Sequence, residues 1–226
     1  MRGARAAVAT LAFAAVLPAH AGDTLPKTTT IVGTLASWTV AFLKGASVGD
    51  CLVGGPKTGD GWGLRVQQGK DKELSMWSVG AVRRDCHLTN VAGFDLEVAP
   101  VASVGRWEAS PSSYLGAGTP PPVIATPRQT AWDAAFVPML HWKLPLGDAV
   151  LLDTEFGIGP AYLSRPNIGT RFKSTNFQFS DHLGIGIATR DGHWRVAYAY
   201  RHVSNANIKE PNNAVDFKGV VVEWKP

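Results

Sequence analysis

The 226-residue chain carries 22 basic and 18 acidic residues, a formal charge of +4, and two cysteines. So mild a charge, with no basic cluster, gives no footing for a nucleic-acid partner. Two cysteines are too few for a disulfide scaffold and no Cys/His spacing resembles a zinc site, so neither a metal nor a cofactor is expected.

Residues 1–21 read as a secretory signal. Arg2 and Arg5 form a positive start, the run 6–17 an apolar core, and Ala19-His20-Ala21 a small-x-small cleavage site. The apolar core is too short to span a bilayer as a helix, and no other stretch reaches roughly 18 uninterrupted apolar residues, which argues against a helical membrane protein. Export would carry Cys51 and Cys86 to an oxidising compartment, where one disulfide or two free thiols both stay open. Residues 22–60 show no clear period: 31–43 is apolar and fits a short helix or a strand, while 48–60 is glycine-rich and turn-like.

From Gly61 the pattern turns regular, and 61–226 reads as one domain. Eight segments alternate like strands: 61–68, 74–84, 94–107, 130–144, 150–163, 176–189, 194–204 and 217–224. Several exceed the roughly 5–6 residues usual in soluble strands and match the roughly 9–11 that cross a membrane. In the fifth, Leu152, Phe156, Ile158 and Tyr162 oppose Asp153, Glu155, Gly157 and Gly159; in the sixth, Phe177, Phe179, Leu183 and Ile185 oppose Gln178, Ser180, His182 and Gly184. Small residues with isolated charges suit the crowded inside of a narrow barrel, and a large apolar face suits lipid. Trp62, Trp77, Trp132, Trp142, Trp194 and Trp224 lie near segment ends, as an interfacial girdle requires. The expected fold is all-β, an eight-stranded antiparallel transmembrane β-barrel. Parity alone also admits a soluble lipid-binding barrel with its apolar face inside.

The links 85–93, 145–149 and 190–193 are short, whereas 108–129 is long and carries Pro120-Pro121-Pro122. Outer-membrane barrels have short periplasmic turns and long outer loops, so both ends of the chain face the periplasm. The last link, between the seventh and eighth strands, then lies at the outer rim. Cys51 and Cys86 fall together at the periplasmic end.

That last link carries the chemistry. In the seventh strand Trp194, Val196, Tyr198 and Tyr200 share the apolar face, and His202 and Ser204 continue it; in the eighth, Asp216 continues the face of Val220, Val222 and Trp224. All three polar residues therefore project outward at the outer rim, where a lipid can arrive through the leaflet. A serine hydroxyl needs a base to take its proton, a histidine can do so, and an acid fixes the histidine's tautomer. Same-face spacing puts His202 and Ser204 roughly 7 Å apart along an ideal strand, bridgeable where the strand ends or bends. Asn205 could donate to a developing oxyanion. Bare His-x-Ser is a common tripeptide, and on the motif alone a polar barrel loop is the favoured reading.

The run Arg201-His202-Val203-Ser204-Asn205, followed by Pro211-Asn212 and Asp216, resembles the signature of the outer-membrane lipid A 3-O-deacylases, the PagL family. The resemblance extends over residues 176–224. It implies an eight-stranded barrel in the bacterial outer membrane, and hydrolysis of the 3-O-linked 3-hydroxyacyl chain of lipid A. It assigns His202 as base, Ser204 as nucleophile, Asp216 as orienting acid and Asn205 to the oxyanion hole, with Phe179 and Asp181 lining the site. Asp181 also interrupts an otherwise apolar lipid face, which a purely structural strand would avoid. The partners implied are lipid A, as lipopolysaccharide, and the outer membrane; a homodimer stays open. Two departures stand out: the acid is Asp where Glu is more familiar in the family, one methylene shorter, and the chain ends Trp224-Lys225-Pro226 rather than on an aromatic. The competing function is a non-catalytic small outer-membrane barrel for adhesion or envelope stability.

Overall fold

The computed structural model describes residues 24–46, 48–53 and 61–226; the expected signal segment lies outside them. Two helices, α1 (Thr24–Leu43) and α2 (Val48–Val53), precede the strands β1 (Trp62–Asp71), β2 (Leu74–Arg83), β3 (Cys86–Val91), β4 (Phe94–Ala109), β5 (Ser112–Leu115), β6 (Val123–Thr126), β7 (Gln129–Pro145), β8 (Val150–Leu163), β9 (Phe177–Thr189), β10 (Trp194–Ser204) and β11 (Val215–Trp224).

One antiparallel sheet runs β2-β1-β11-β10-β9-β8-β7-β4-β3, and pairing of β2 with β4 closes it. The strand β3 continues β2 across Arg84 and Asp85: Val82 pairs with Val101 and Cys86 with Val98 on the same neighbour. The closed barrel thus has eight staves, one of them broken, and all eight expected segments are strands. Three details differ from the sequence expectation. The link 85–93 is not a plain turn but holds β3, whose alternation is too short and polar to stand out. The long link 108–129 folds on itself as the β5–β6 hairpin. The stretch 48–60 begins with a helical turn, and 31–43 is the C-terminal part of a helix of 20 residues.

The faces are inverted relative to a water-soluble protein. Outward residues such as Trp77, Trp132, Tyr162, Ile187, Val196 and Val220 are large, apolar and exposed. The lumen is instead crossed by charge. Arg65 bridges to Glu155 at 2.9 Å and also pairs with Glu223. Arg195 holds Asp153 at 2.9 Å, and Lys143 reaches Asp85 and Glu97 at 2.6 Å each. Buried ions are tolerated where each finds a counter-ion, as these do. Toward the outer end the lumen becomes apolar, filled by Leu74, Met76, Trp107, Leu163, Val203 and Phe217. Trp107 and Phe217 meet edge to face at 4.8 Å between ring centroids. A polar interior inside an apolar exterior is the arrangement of a barrel solvated by lipid, and it removes the soluble alternative.

Helix α1 lies outside this wall, against β8 and β9. At its foot, α2 is tied to β3 by the disulfide Cys51–Cys86, with 5.6 Å between Cα atoms. Ala41, Leu88, Leu96 and Leu140 pack around that link.

Candidate active site

The strand β10 ends at Ser204, and the chain then turns sharply: Ala206 and Asn207 both take positive φ (52° and 59°), and the Ile208 N–H donates to the Asn205 carbonyl at 3.1 Å. This left-handed turn carries the backbone away from the strand line just past Ser204. His202 Nε2 meets Ser204 Oγ at 3.0 Å, so the pair separated along the strand closes to hydrogen-bond distance. On the other side of the ring, His202 Nδ1 meets Asp216 Oδ1 at 2.6 Å. The shorter acid reaches because His202 and Asp216 are direct register partners on β10 and β11. Side chains so placed have Cβ atoms roughly 5 Å apart, a gap that an aspartate spans without the extra methylene.

His202 and Ser204 are 3% and 2% exposed, on the opposite side of β10 from the lumen-facing Arg201, which pairs with Asp133 and donates to Ser180 Oγ at 2.8 Å. The expected outward projection of the three residues therefore holds, though all three are more enclosed than a bare wall would leave them.

Several residues that sequence alone did not single out hold this chain of hydrogen bonds. The Tyr200 hydroxyl donates to Asp216 Oδ1 at 2.6 Å, and its ring stacks on the His202 imidazole at 6.5 Å and 21°. Tyr200 shares the His202 face two residues upstream, a signal that parity carried. Asp71, at the end of β1, accepts the Asp216 N–H at 3.1 Å and an Arg171 guanidinium N–H at 2.9 Å. Lys173, in the β8–β9 loop and almost fully buried, donates to the Val203 carbonyl at 2.8 Å. Burial, reinforced by the nearby Arg171 charge, pulls the Lys173 ammonium down to about 7. No periodicity could have announced Lys173 or Asp71, because both act from loops and strand ends across the rim.

The remaining expected residues are close by. Asp181 on β9 is the register partner of His202 on the side away from Asp216. It is buried, its Oδ1 has no hydrogen-bond partner, and its carboxylate lies within the field of both His202 and Lys27. Phe179 is the register partner of Ser204 and packs edge to face on Phe177 at 5.3 Å. Asn205 is fully buried next to the serine, but its donors are turned into the loop: Nδ2 donates to the Lys209 carbonyl at 2.7 Å and to Ser174 Oγ at 3.3 Å, and its N–H to Asn212 Oδ1 at 3.0 Å.

From Ser204 one outward row circles the barrel. It runs to Phe179, then Pro160, crosses the interrupted part of the β7–β8 ladder to Phe136, and continues through Ala102 and Ala81 to Leu64. Around Ala102 and Ala81, with Gly63 and Gly80 beside them, the wall is concave, an apolar groove of about 810 Å³ that begins at Phe177 and Tyr162. Such a surface accepts an alkyl chain and offers almost nothing to a polar ligand.

The family model for lipid A 3-O-deacylase (PagL) matches residues 77–225. The chain is 35% identical over 85 residues to the lipid A deacylase PagL of Bordetella bronchiseptica, an alignment that covers 38% of this chain and 45% of that one. With the lipid A deacylase PagL of Pseudomonas aeruginosa it shares 29% over 82 residues, covering 36% and 46%. The matched stretches thus span less than half the length of each curated relative. The fold resembles the crystal structure of the outer membrane enzyme PagL, with a TM-score of 0.57 at 19% identity, covering 72% of this chain and 98% of that one. The helix α1 and the strand β1 lie before the matched residues.

Proposed function

Because the chain belongs to the lipid A 3-O-deacylase (PagL) family, we propose that it is an outer-membrane serine esterase that removes the 3-O-linked 3-hydroxyacyl chain of lipid A. The observation that carries this reading is the unbroken hydrogen-bond chain Ser204–His202–Asp216 on the lipid side of the barrel's outer rim.

The geometry supports a double-displacement route. Ser204 Oγ attacks the ester carbonyl while His202 Nε2 takes the hydroxyl proton. Asp216, accepting from Nδ1–H, holds the tautomer in which Nε2 is free to do so and stabilises the imidazolium. The tetrahedral oxyanion then collapses, the C–O bond to the sugar breaks, and His202 returns its proton to the departing sugar hydroxyl. Water, deprotonated by the same nitrogen, attacks the acyl-serine and releases the fatty acid and the free Ser204 hydroxyl. Asn205 is the candidate oxyanion donor: its 3.3 Å bond to Ser174 Oγ is the weaker of two, and that proton is the one it can redirect. The groove that begins at Phe177, whose ring packs on Phe179, fits the acyl chain, and the ester of an outer-leaflet lipid reaches the site without entering the lumen.

Purified Ser204→Ala protein that still runs as a folded barrel should release no 3-hydroxy fatty acid from lipopolysaccharide, whereas the parent releases it. Mass spectrometry of the lipid A product should show loss of one 3-hydroxyacyl group from position 3. Equal release by parent and variant would sink the triad, and no release by the parent would favour a non-catalytic barrel.

A further inference from the structure

Helix α1 is built the wrong way round for water. At 100° per residue Thr30, Thr34, Ser37 and Ala41 fall within roughly 60° of one another, and this polar and small stripe is the buried one. The opposite side carries Val32, Leu35, Phe42 and Leu43; Leu35 is 61% exposed and Phe42 68%. From Thr28 to Leu43 there is no charged residue, and Lys27 and Lys44 bracket the run. An amphipathic helix on a water-soluble protein shows the reverse pattern, with its apolar stripe inward.

The stripe meets the barrel closely. Gly33, Ser37 and Ala41 repeat every four residues, the small-residue spacing that lets membrane helices approach a partner. A Cβ at position 33 would fall 2.3 Å from the Phe156 ring, so only glycine lets the helix lie there. Trp142 Nε1 donates to Ser37 Oγ at 2.7 Å, and that hydroxyl donates to the Gly33 carbonyl at 2.7 Å. The wall beneath is a single outward register row, Tyr200–Leu183–Phe156–Leu140–Val98–Cys86. Tyr200 abuts the catalytic histidine at the outer end, and Cys86 carries the disulfide to α2 at the inner end. The upper turn of α1 brings Lys27 into the field of Asp181. A helix of 20 residues is about 30 Å long, the thickness of a bilayer's hydrocarbon core.

Among the described residues no helix is long and apolar enough to cross a membrane on its own. For α1 the reason is its threonine and serine content, and several of those hydroxyls are the groups that face the barrel. We propose that α1 is embedded in the bilayer as a helical stave docked outside the barrel, its Val32–Leu35–Phe42 face solvated by lipid acyl chains. The occupant follows from continuity: the exposed apolar residues of α1 extend the apolar belt formed by Val196, Tyr198 and Ile187 on the neighbouring strands. The inference rests on the membrane placement of the barrel and not on its catalysis.

The test is nitroxide accessibility in the full chain, reconstituted into phosphatidylcholine–phosphatidylglycerol vesicles with the Cys51–Cys86 link intact. Spin labels at Leu35→Cys and Phe42→Cys should collide with oxygen far more than with a water-soluble nickel chelate, as a label at Val196→Cys on the barrel belt does. A label at Lys209→Cys in the outer loop reports water. Nickel accessibility at Leu35→Cys matching that at Lys209→Cys overturns the proposal, and so does spin–spin broadening there, which would mean that a second copy covers the face. If Val196→Cys also reports water, the membrane placement itself fails; if only the α1 labels do, α1 alone is misplaced. Ser204→Ala protein should give the same accessibilities, because no step depends on turnover.

Discussion

Among the described residues, the rings of His141, His182 and His202 each meet the side chain of an acid or a serine, and two of these histidines face the lumen. There, His141 Nδ1 meets Asp153 Oδ1 at 3.0 Å, but its Nε2 has no partner and Arg195 holds the same carboxylate. His182 Nε2 meets Ser180 Oγ at 2.9 Å, a serine–histidine pair two residues apart like the one at the rim, yet its Nδ1 has no partner. His202, on the lipid side, has both a serine and an acid. The three arrangements use the same residue types at similar distances. The lumen pairs each lack one member and face away from lipid, so of the three arrangements only the outward one is complete.

The comparison can be broken by experiment. His202→Ala should lower the proposed lipid A deacylation by on the order of 10⁴-fold or more, measured as fatty-acid release. His182→Ala should leave release near the parental rate, and a comparable loss there would place the chemistry in the lumen. Asp216→Asn should cost activity by roughly 10⁴-fold with the fold intact, because the wrong tautomer is favoured. Asp153→Asn should do the converse, costing on the order of 3–5 kcal/mol in urea unfolding by breaking a buried ion pair, with activity preserved in whatever fraction folds. Tyr200→Phe should lower activity several-fold, consistent with loss of about 1 kcal/mol from one hydrogen bond to Asp216, with substrate KM unchanged. For Lys173 the expected effect is on stability and not on activity. Its folded pKa of about 7 lies below the ordinary lysine value of 10.5, so between those limits the unfolded chain binds more protons. Stability should therefore rise as pH increases from 7 toward 10, and Lys173→Met should flatten that slope in thermal melts.

How much of this was legible in the sequence follows from periodicity. Every barrel stave alternates with period two, and the Leu152–Asp153 or Phe177–Gln178 contrast is strong enough to reveal strand and face together. The same parity put His202, Ser204 and Asp216 on one outward side. The reach of Asp216 was not legible, because it depends on the β10–β11 register, which the turn after Ser204 fixes. Helix α1 was hidden for two reasons. Its Thr28-Thr29-Thr30-Ile31-Val32 run is β-branched and favours extended backbone, and its apolar face points away from its own protein, so no core stripe marks it. Strand β3 was too short for its alternation to separate from a link. Asp71, Arg171 and Lys173 assemble from distant turns, which local pattern does not encode.

The charged girder across the lumen also has an electrical consequence. Arg65, Glu155, Glu223 and Arg195 join β1, β8, β11 and β10 through the middle of the barrel, and an apolar plug lies beyond them. An ion entering from either end would have to displace a fixed counter-charge and then shed its water among Leu74, Trp107 and Phe217. The protein is therefore an insulator threaded through an insulating sheet: inserted into a planar bilayer it should add no conductance, and a cell could carry many copies without short-circuiting its envelope.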